Sequence, residues 1–191
     1  MGEARTLRGW SEPLLQPTEL REGFQVSVHS CPRLLMRELK HVFPSQFQQR
    51  KGSDGDSVLA VLTCQKALMD LSQFGTDADK EKDRLLETFV AFSQQVAKEL
   101  SARKYWVDFI DPCSGLPMLT LSSNKVYSEV DGVELLLRYH CLSAGMCKIL
   151  LHPVWGAAVY PASLFTTAPY EVVKEVLQSL PENAWDISWH C

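Results

Sequence analysis

The sequence lacks any run of lysine and arginine residues, and its 23 acidic residues outnumber its 19 basic ones. The resulting net charge of −4 argues against nucleic acid as the main partner, because binding to phosphates requires a concentrated basic surface. The sequence also lacks an apolar stretch long enough to span a bilayer, and no apolar secretory segment lies near Met1. We therefore expect a soluble protein that contacts neither nucleic acid nor membrane.

Closely spaced cysteine pairs are missing as well. The six cysteines are Cys31, Cys64, Cys113, Cys141, Cys147 and Cys191. Without paired spacing or an export signal they predict free thiols in a reducing, cytoplasmic compartment. The first 29 residues mix arginines with glutamates, which is unlike a mitochondrial leader. Structural zinc sites use short paired spacings, so we do not predict zinc at the loose set of His140, Cys141, Cys147 and His152.

Apolar residues make up 46% of the 191 residues and charged residues 22%, which is ordinary for one globular domain. No internal repeat or low-complexity tract appears. Residues 1–29 combine prolines, glycines and charges without a sustained period, and we predict a flexible N-terminal arm there, followed by one domain over residues 30–191.

Hydrophobic periodicity predicts helices bracketing several strands. The predicted helices span residues 31–41, 78–104 and 169–180. The predicted strands span residues 58–63, 116–121, 133–142, 145–152 and 155–165, with a further strand from Tyr105 to a turn at Asp111. This order predicts an α+β fold with a mainly antiparallel or mixed sheet flanked by helices.

The most informative segment is residues 105–116, with the sequence YWVDFIDPCSGL, in which an apolar strand runs directly into a tight turn. Asp111 begins the turn, and its side chain is expected to accept local amide protons. Asp108 and Asp111 are three positions apart on a strand and face opposite sides, so they do not predict an acid–base pair.

The string at residues 105–116 resembles the C-terminal domain of the cobalamin-trafficking CblD family, the methylmalonic aciduria and homocystinuria type D proteins. Other segments agree with that family in consistent order over about residues 30–167. They are residues 30–35 (SCPRLL), 42–44 (VFP), 65–66 (QK), 145–149 (GMCKI), His152, residues 155–156 (WG) and residues 163–166 (SLFT).

The resemblance implies a nitroreductase-like α+β scaffold that has lost flavin chemistry and handles vitamin B12. It implies a non-enzymatic adaptor that binds a cobalamin-loaded CblC-type chaperone and directs the cofactor toward methionine synthase. The protein would contact cobalamin only while the partner holds it, and no bound flavin is expected. Flavin nitroreductases hold the phosphate of their cofactor with basic residues near the start of the fold; at that place this sequence offers only Arg33 and Arg37, and both lie on what is predicted to be an ordinary amphipathic helix.

Residues 145–148 are the predicted site. The family carries two adjacent cysteines here, and the resemblance implies that the first is the thiolate that coordinates cobalt; in this sequence Met146 occupies that position and only Cys147 remains. Cobalt in reduced cobalamin accepts soft sulfur ligands, and Lys148 could favour a thiolate. Cys147 could coordinate, Met146 could ligate weakly, or the protein could bind its partner without touching cobalt; we favour weak or absent coordination.

Two rival hypotheses remain. One is a flavin- or thiol-dependent oxidoreductase of nitroreductase type. The other is a relative that competes for the chaperone without delivering cobalamin. From the residues alone, Cys147 could also be a small apolar filler at the start of a buried strand.

Overall fold

The structure is a computed structural model that describes residues 11–48, 57–120, 123–145, 147–181 and 185. Its elements in chain order are β1 (Leu15–Arg21), β2 (Phe24–Ser30), α1 (Arg33–Val42), α2 (Pro44–Gln48), β3 (Leu59–Lys66), α3 (Thr76–Ala102), β4 (Val107–Phe109), α4 (Glu129–Leu137), β5 (His140–Ala144), β6 (Cys147–Leu151), β7 (Val159–Thr166) and α5 (Tyr170–Ser179). No helix within these ranges is long and apolar enough to cross a membrane.

The main sheet has the order β1-β2-β3-β7-β4, and each neighbouring pair is antiparallel. The predicted α+β class with an antiparallel sheet flanked by helices is therefore confirmed. The strand predicted at residues 58–63 is the central β3, which is buried from Leu59 to Gln65. A continuous apolar run is typical of such a strand because both of its faces are covered.

The sheet separates two apolar clusters, and alternate residues of β3 point into each of them. Leu59 and Val61 pack with α3 and α5 in the first cluster. Ala60 and Leu62 pack with α1 and α4 in the second. The helices thus form a layer on each face of the sheet, and the layer of α1 and α4 carries the region of the predicted site.

The N-terminal part differs from the prediction, because β1 and β2 form a hairpin over residues 15–30, nearly all of it in the segment 1–29 that was expected to be a flexible arm. β2 packs into the first cluster through Phe24, Val26 and Val28, all nearly inaccessible to solvent. β1 is a mostly exposed edge strand, and its charges and proline conceal the strand pattern in the sequence.

A second correction concerns residues 133–142, where the sequence predicts one strand. The structure has the helix α4 up to Leu137, and β5 begins only at His140. The hydroxyl of Ser128 caps the helix by accepting the amide proton of Asp131, and Arg138 ends it in the left-handed conformation at φ 57°. A short apolar run such as residues 135–137 does not distinguish strand from helix by periodicity.

The strand predicted at residues 116–121 is also wrong for its described part, residues 116–120. That segment makes one isolated bridge, between Ile110 and Pro117. The amide of Met118 donates to the carbonyl of Phe109 in β4 at 2.9 Å, but the next two amides, of Leu119 and Thr120, donate to the buried carboxylate of Asp108, both at 2.9 Å. A side chain therefore provides the acceptors that a neighbouring strand would have supplied.

The other predicted elements are confirmed with shifted boundaries. Helix α1 covers Arg33–Val42, α3 covers Thr76–Ala102 and α5 covers Tyr170–Ser179. Strands β4 and β6 lie within the segments predicted for them, and β7 (Val159–Thr166) starts four residues later and ends one residue later than the predicted 155–165.

Candidate functional site

The predicted site lies on a separate two-stranded sheet formed by β5 and β6. Ala144 and Cys147 are the last cross-strand pair before the turn, and Gly145 occupies the turn at φ +64°, a conformation that favours glycine. Met146 lies outside the described residues, so its predicted contact with cobalamin stays a prediction. Cys147 is exposed at the start of β6.

The two faces of this hairpin have different surroundings. The pairs Cys141–Leu150 and Ser143–Lys148 face α4, since Leu150 is buried in the second cluster and Lys148 binds two carboxylates of α4. Side chains alternate along a strand, so the intervening pairs form the outward face. They are Leu142–Ile149 and Ala144–Cys147, and they place the thiol on an apolar, solvent-facing surface.

Lys148 does not direct its charge toward Cys147. Its Nζ lies 2.7 Å from Asp131 Oδ1 and 3.0 Å from Glu134 Oε2. The hydrogen bonds to Asp131 and then to Glu134 raise the pKa of Lys148, and the hydrogen bond from Lys148 lowers the pKa of Asp131. The ammonium group therefore ties β6 to α4, and this geometry does not supply the electrostatic support for a thiolate that the sequence suggested.

The described thiols differ strongly in exposure. Burial raises the pKa of Cys31 and of Cys64 to about 12, which keeps both protonated. Cys141 is half-buried, and burial raises its pKa as well. Cys113 and Cys147 are exposed, so within the described ranges they are the thiols that a large partner can reach.

His152 anchors the end of the hairpin. Its ring stacks on Trp155 with centroids 4.1 Å apart and meets the edge of Tyr139 at 5.2 Å. Nδ1 accepts the amide protons of Val154 and Trp155, both at 3.2 Å, so Nε2 carries the proton and donates to Oε1 of Gln25 at 2.9 Å. Burial lowers the pKa of His152, and this neutral, fully bonded ring serves a structural role at the strand end.

His140, by contrast, is exposed at the start of β5. No group of three or more His, Cys, Asp or Glu residues among those described is arranged to hold a metal ion. Within the described part of the chain, His140, Cys141, Cys147 and His152 therefore do not form a metal site.

The turn after β4 confirms the role predicted for Asp111. Its carboxylate accepts the amide protons of Cys113 at 3.0 Å and Ser114 at 3.3 Å, and the Ser114 hydroxyl donates to it at 2.7 Å. Asp108 instead supports the following segment from a buried position. The two carboxylates thus have separate structural functions, as expected from their spacing.

Sequence reasoning missed a buried carboxylate in the same layer. Glu129, in the first turn of α4, accepts the amide proton of Ser163 in β7 at 3.1 Å and also the hydroxyl proton of that serine. Burial raises the pKa of Glu129 to about 8, against the opposing effect of these hydrogen bonds. The pattern of Ser128 followed by an acidic first turn would have indicated a helix start, but residues 133–142 were read as strand.

Comparison with known proteins decides the family. The sequence model of the family described as "Methylmalonic aciduria and homocystinuria type D protein" matches residues 15–178. The chain belongs to this family. The match begins at Leu15, the first residue of β1, so the N-terminal hairpin is part of the family's domain. The resemblance drawn from residues 105–116 is confirmed.

Curated relatives agree with this assignment. The cobalamin trafficking protein CblD of Rattus norvegicus is 32% identical over 145 residues, which cover 75% of this chain and 46% of the relative. The CblD protein of Mus musculus is 31% identical with the same coverage, and that of Homo sapiens is 30% identical over 144 residues. The chain thus spans about half the length of the curated relatives that it matches.

Proposed function

We propose that this chain is a non-enzymatic cobalamin-trafficking adaptor that docks a cobalamin-loaded CblC-type chaperone and directs the cofactor toward methionine synthase. The observation that carries the proposal is membership of the CblD family over residues 15–178, together with relatives named as cobalamin trafficking proteins. The family resemblance also suggests a nitroreductase-like scaffold and the cysteine pattern a cytoplasmic location; both stay predictions.

The outward face of the hairpin β5–β6 is the proposed contact. It combines Leu142, which is 47% exposed, with the exposed thiol of Cys147. Apolar groups exposed together are typical of a surface that a partner covers. Because the thiol sits beside the turn of a hairpin, it can approach a cofactor that the chaperone holds, and no internal cavity of this chain is needed.

The sulfur chemistry follows from the sequence at residues 146 and 147, a methionine followed by a cysteine. A thiolate binds cobalt better than a thiol does, and a thioether is neutral and cannot become a thiolate. Cys147 is on the outward face, but Lys148 is turned toward α4. We expect Cys147 to make at most a weak contact with cobalt, and we expect protein–protein binding rather than coordination to hold the complex together.

The experiment mixes the protein with cobalamin-loaded chaperone and records both a sizing column profile and the ultraviolet-visible spectrum of the cobalt. We expect wild type to form the complex. We expect Leu142→Glu to weaken it because a charge would enter an apolar contact, and Cys147→Ser to keep the complex but remove any spectral change. Cys113→Ser, which alters the other exposed thiol, is the matched control.

The variant Met146→Cys tests the departure from the family pattern, and we expect it to strengthen the spectral change. If wild-type protein forms no complex with the chaperone on the column and the cobalt spectrum does not change, the proposal is wrong. A yellow protein that reduces a nitroaromatic compound with a nicotinamide donor would favour the oxidoreductase instead.

A further inference from the structure

A cleft of about 660 Å³ lies beside the hairpin, between α1, α4 and the start of β5. Its walls include Leu34 and Glu38 of α1, Leu135 of α4, and the chain from Tyr139 to Cys141. A cleft of this size accommodates several side chains of a ligand. Its lining includes neither Leu142 nor Cys147, so it is distinct from the apolar surface that carries Cys147.

The start of β5 forms one wall of the cleft, and this strand has one unpaired edge among the described residues. β5 belongs to a sheet in which β6 is its one neighbour among the described residues, and His140 and Cys141 of β5 line the cleft. Proteins usually protect such edges with lysine, proline or a bulge. The β5 sequence, His-Cys-Leu-Ser-Ala, contains none of these residues, and its pairing with β6 has no register shift.

The cleft also presents apolar side chains next to that edge. Leu34, in the first turn of α1, is 66% exposed, and Leu135 and Tyr139 are only partly buried. A strand added beside β5 would place alternate side chains against these residues. The backbone edge and the apolar wall therefore fit the same extended occupant.

Charge decides between the candidate occupants. The cleft is lined by three carboxylates, those of Glu38, Asp131 and Glu134, and by the guanidinium of Arg138, which has an interaction of its own. With Lys148 counted as well, the acidic groups exceed the basic ones by one. Lys148 binds Asp131 and Glu134, and the ion pairs of the described residues do not include Glu38. A second copy of the chain, itself with a net charge of −4, would bring the same carboxylates toward these, and like charges brought close together oppose association.

We propose that the cleft binds an extended segment of a partner protein in which apolar and basic side chains alternate, and that this segment adds to β5 as a third strand. Its apolar side chains cover Leu34 and Tyr139, and a basic side chain pairs with Glu38. The proposal does not depend on cobalamin or on Cys147, so it stands or falls separately from the trafficking function.

The test uses the whole chain and two capped peptides of equal length, one alternating valine with lysine and one alternating valine with glutamate. Binding is measured by calorimetry, and amide hydrogen exchange is followed in β5. The lysine peptide is expected to bind at least about fivefold more tightly than the glutamate peptide and to slow exchange at residues 140–144. Leu34→Glu and Glu38→Lys are each expected to weaken binding of the lysine peptide.

Leu68→Glu and Glu87→Lys are the matched controls, since Leu68 is 85% exposed outside the cleft and Glu87 is exposed on α3. Both should bind the lysine peptide like wild type. Equal affinity for the two peptides, no slowing of exchange in β5, or the same loss with Leu68→Glu as with Leu34→Glu would each overturn the proposal. Concentration-dependent dimerisation of wild type that Leu34→Glu abolishes would assign the cleft to a second copy and would likewise refute it.

Discussion

The buried carboxylate of Glu129 gives the protein a pH dependence that can be traced to one residue. Its pKa rises from an ordinary 4.5 to about 8 because of burial, so the folded state binds the proton more tightly than the unfolded state. Stability therefore falls as pH rises from about 4.5 to about 8. His29 acts in the opposite direction, because burial lowers its pKa from 6.5 to about 4. Its contribution to the free energy of unfolding therefore increases as pH rises from about 4 to about 6.5.

Above pH 6.5 His29 is neutral in both the folded and the unfolded state, so between pH 6.5 and 8 it no longer offsets the loss of stability that the ionisation of Glu129 causes. We expect the free energy of unfolding of wild type to fall across this window by up to about 1.4 kcal/mol per pH unit. Glu129→Gln keeps a hydrogen-bonding side chain without the titration, so its profile should be flatter. Urea unfolding at a series of pH values measures both slopes.

The control for this prediction is Glu87→Gln, which changes an exposed carboxylate on α3 and should leave the slope of wild type unaltered. Equal slopes for wild type and Glu129→Gln would show that the carboxylate titrates normally in the folded state.

At the scale of elements, the hairpin β5–β6 depends on α4. A two-stranded sheet alone is marginally stable in water, and this one is held by the packing of Cys141 and Leu150 and by the pairing of Lys148 with Asp131 and Glu134. The three charged groups are each about half exposed, so salt screens them and their effect on global stability is small.

We therefore expect Lys148→Gln to loosen the hairpin locally. Amide hydrogen exchange in residues 140–144 and 147–151 should become several-fold faster, because local opening no longer has to break the ion pairs. The thermal unfolding midpoint should change little. Lys98→Gln, on the exposed side of α3, should alter neither, and exchange in the hairpin that matches wild type would show that packing alone holds it on α4.

The elements also show what the sequence can predict. The helix α3 and the strand β3 were predictable because each has one dominant signal, a sustained helical period and a continuous apolar run. The edge strand β1 was missed because it is mostly exposed and lacks that signal. The prediction was wrong at α4 because the three consecutive leucines at residues 135–137 show no helical period. The better signal was Ser128, a residue type that commonly caps the start of a helix.

The candidate site was predictable only in part, for a related reason. The position of Cys147 at the start of a late strand follows from local pattern. Its outward orientation depends on contacts between distant parts of the chain, namely the pairing of β6 with β5 and the ion pairs that join Lys148 to α4. Such contacts leave no periodic mark in the sequence.

At the scale of the whole molecule, the two apolar clusters serve different regions. The second cluster supports α4 and the hairpin with Cys147. The first cluster extends to Trp185, beyond the last residue that the family model matches. Its indole stacks on Phe92 with centroids 4.8 Å apart and lies 4.6 Å from the ring of Phe24, while the Arg21 guanidinium lies 4.9 Å above it. Trp185 thus closes the first cluster against α3 and the N-terminal hairpin.

This arrangement predicts that stability and partner binding can be separated. Trp185→Ala should lower the free energy of unfolding by about 3–5 kcal/mol, because it removes a large buried ring and leaves a cavity. Trp185→Phe should lose less, since a smaller ring can still stack on Phe92. The sheet separates Trp185 from the hairpin β5–β6, so the Trp185→Phe protein, at a temperature where it remains folded, should give the same result as wild type in the proposed mixing experiment with the chaperone. Urea unfolding and the sizing column measure the two properties, and an unchanged unfolding midpoint in Trp185→Ala would mean that the indole contributes nothing to the first cluster.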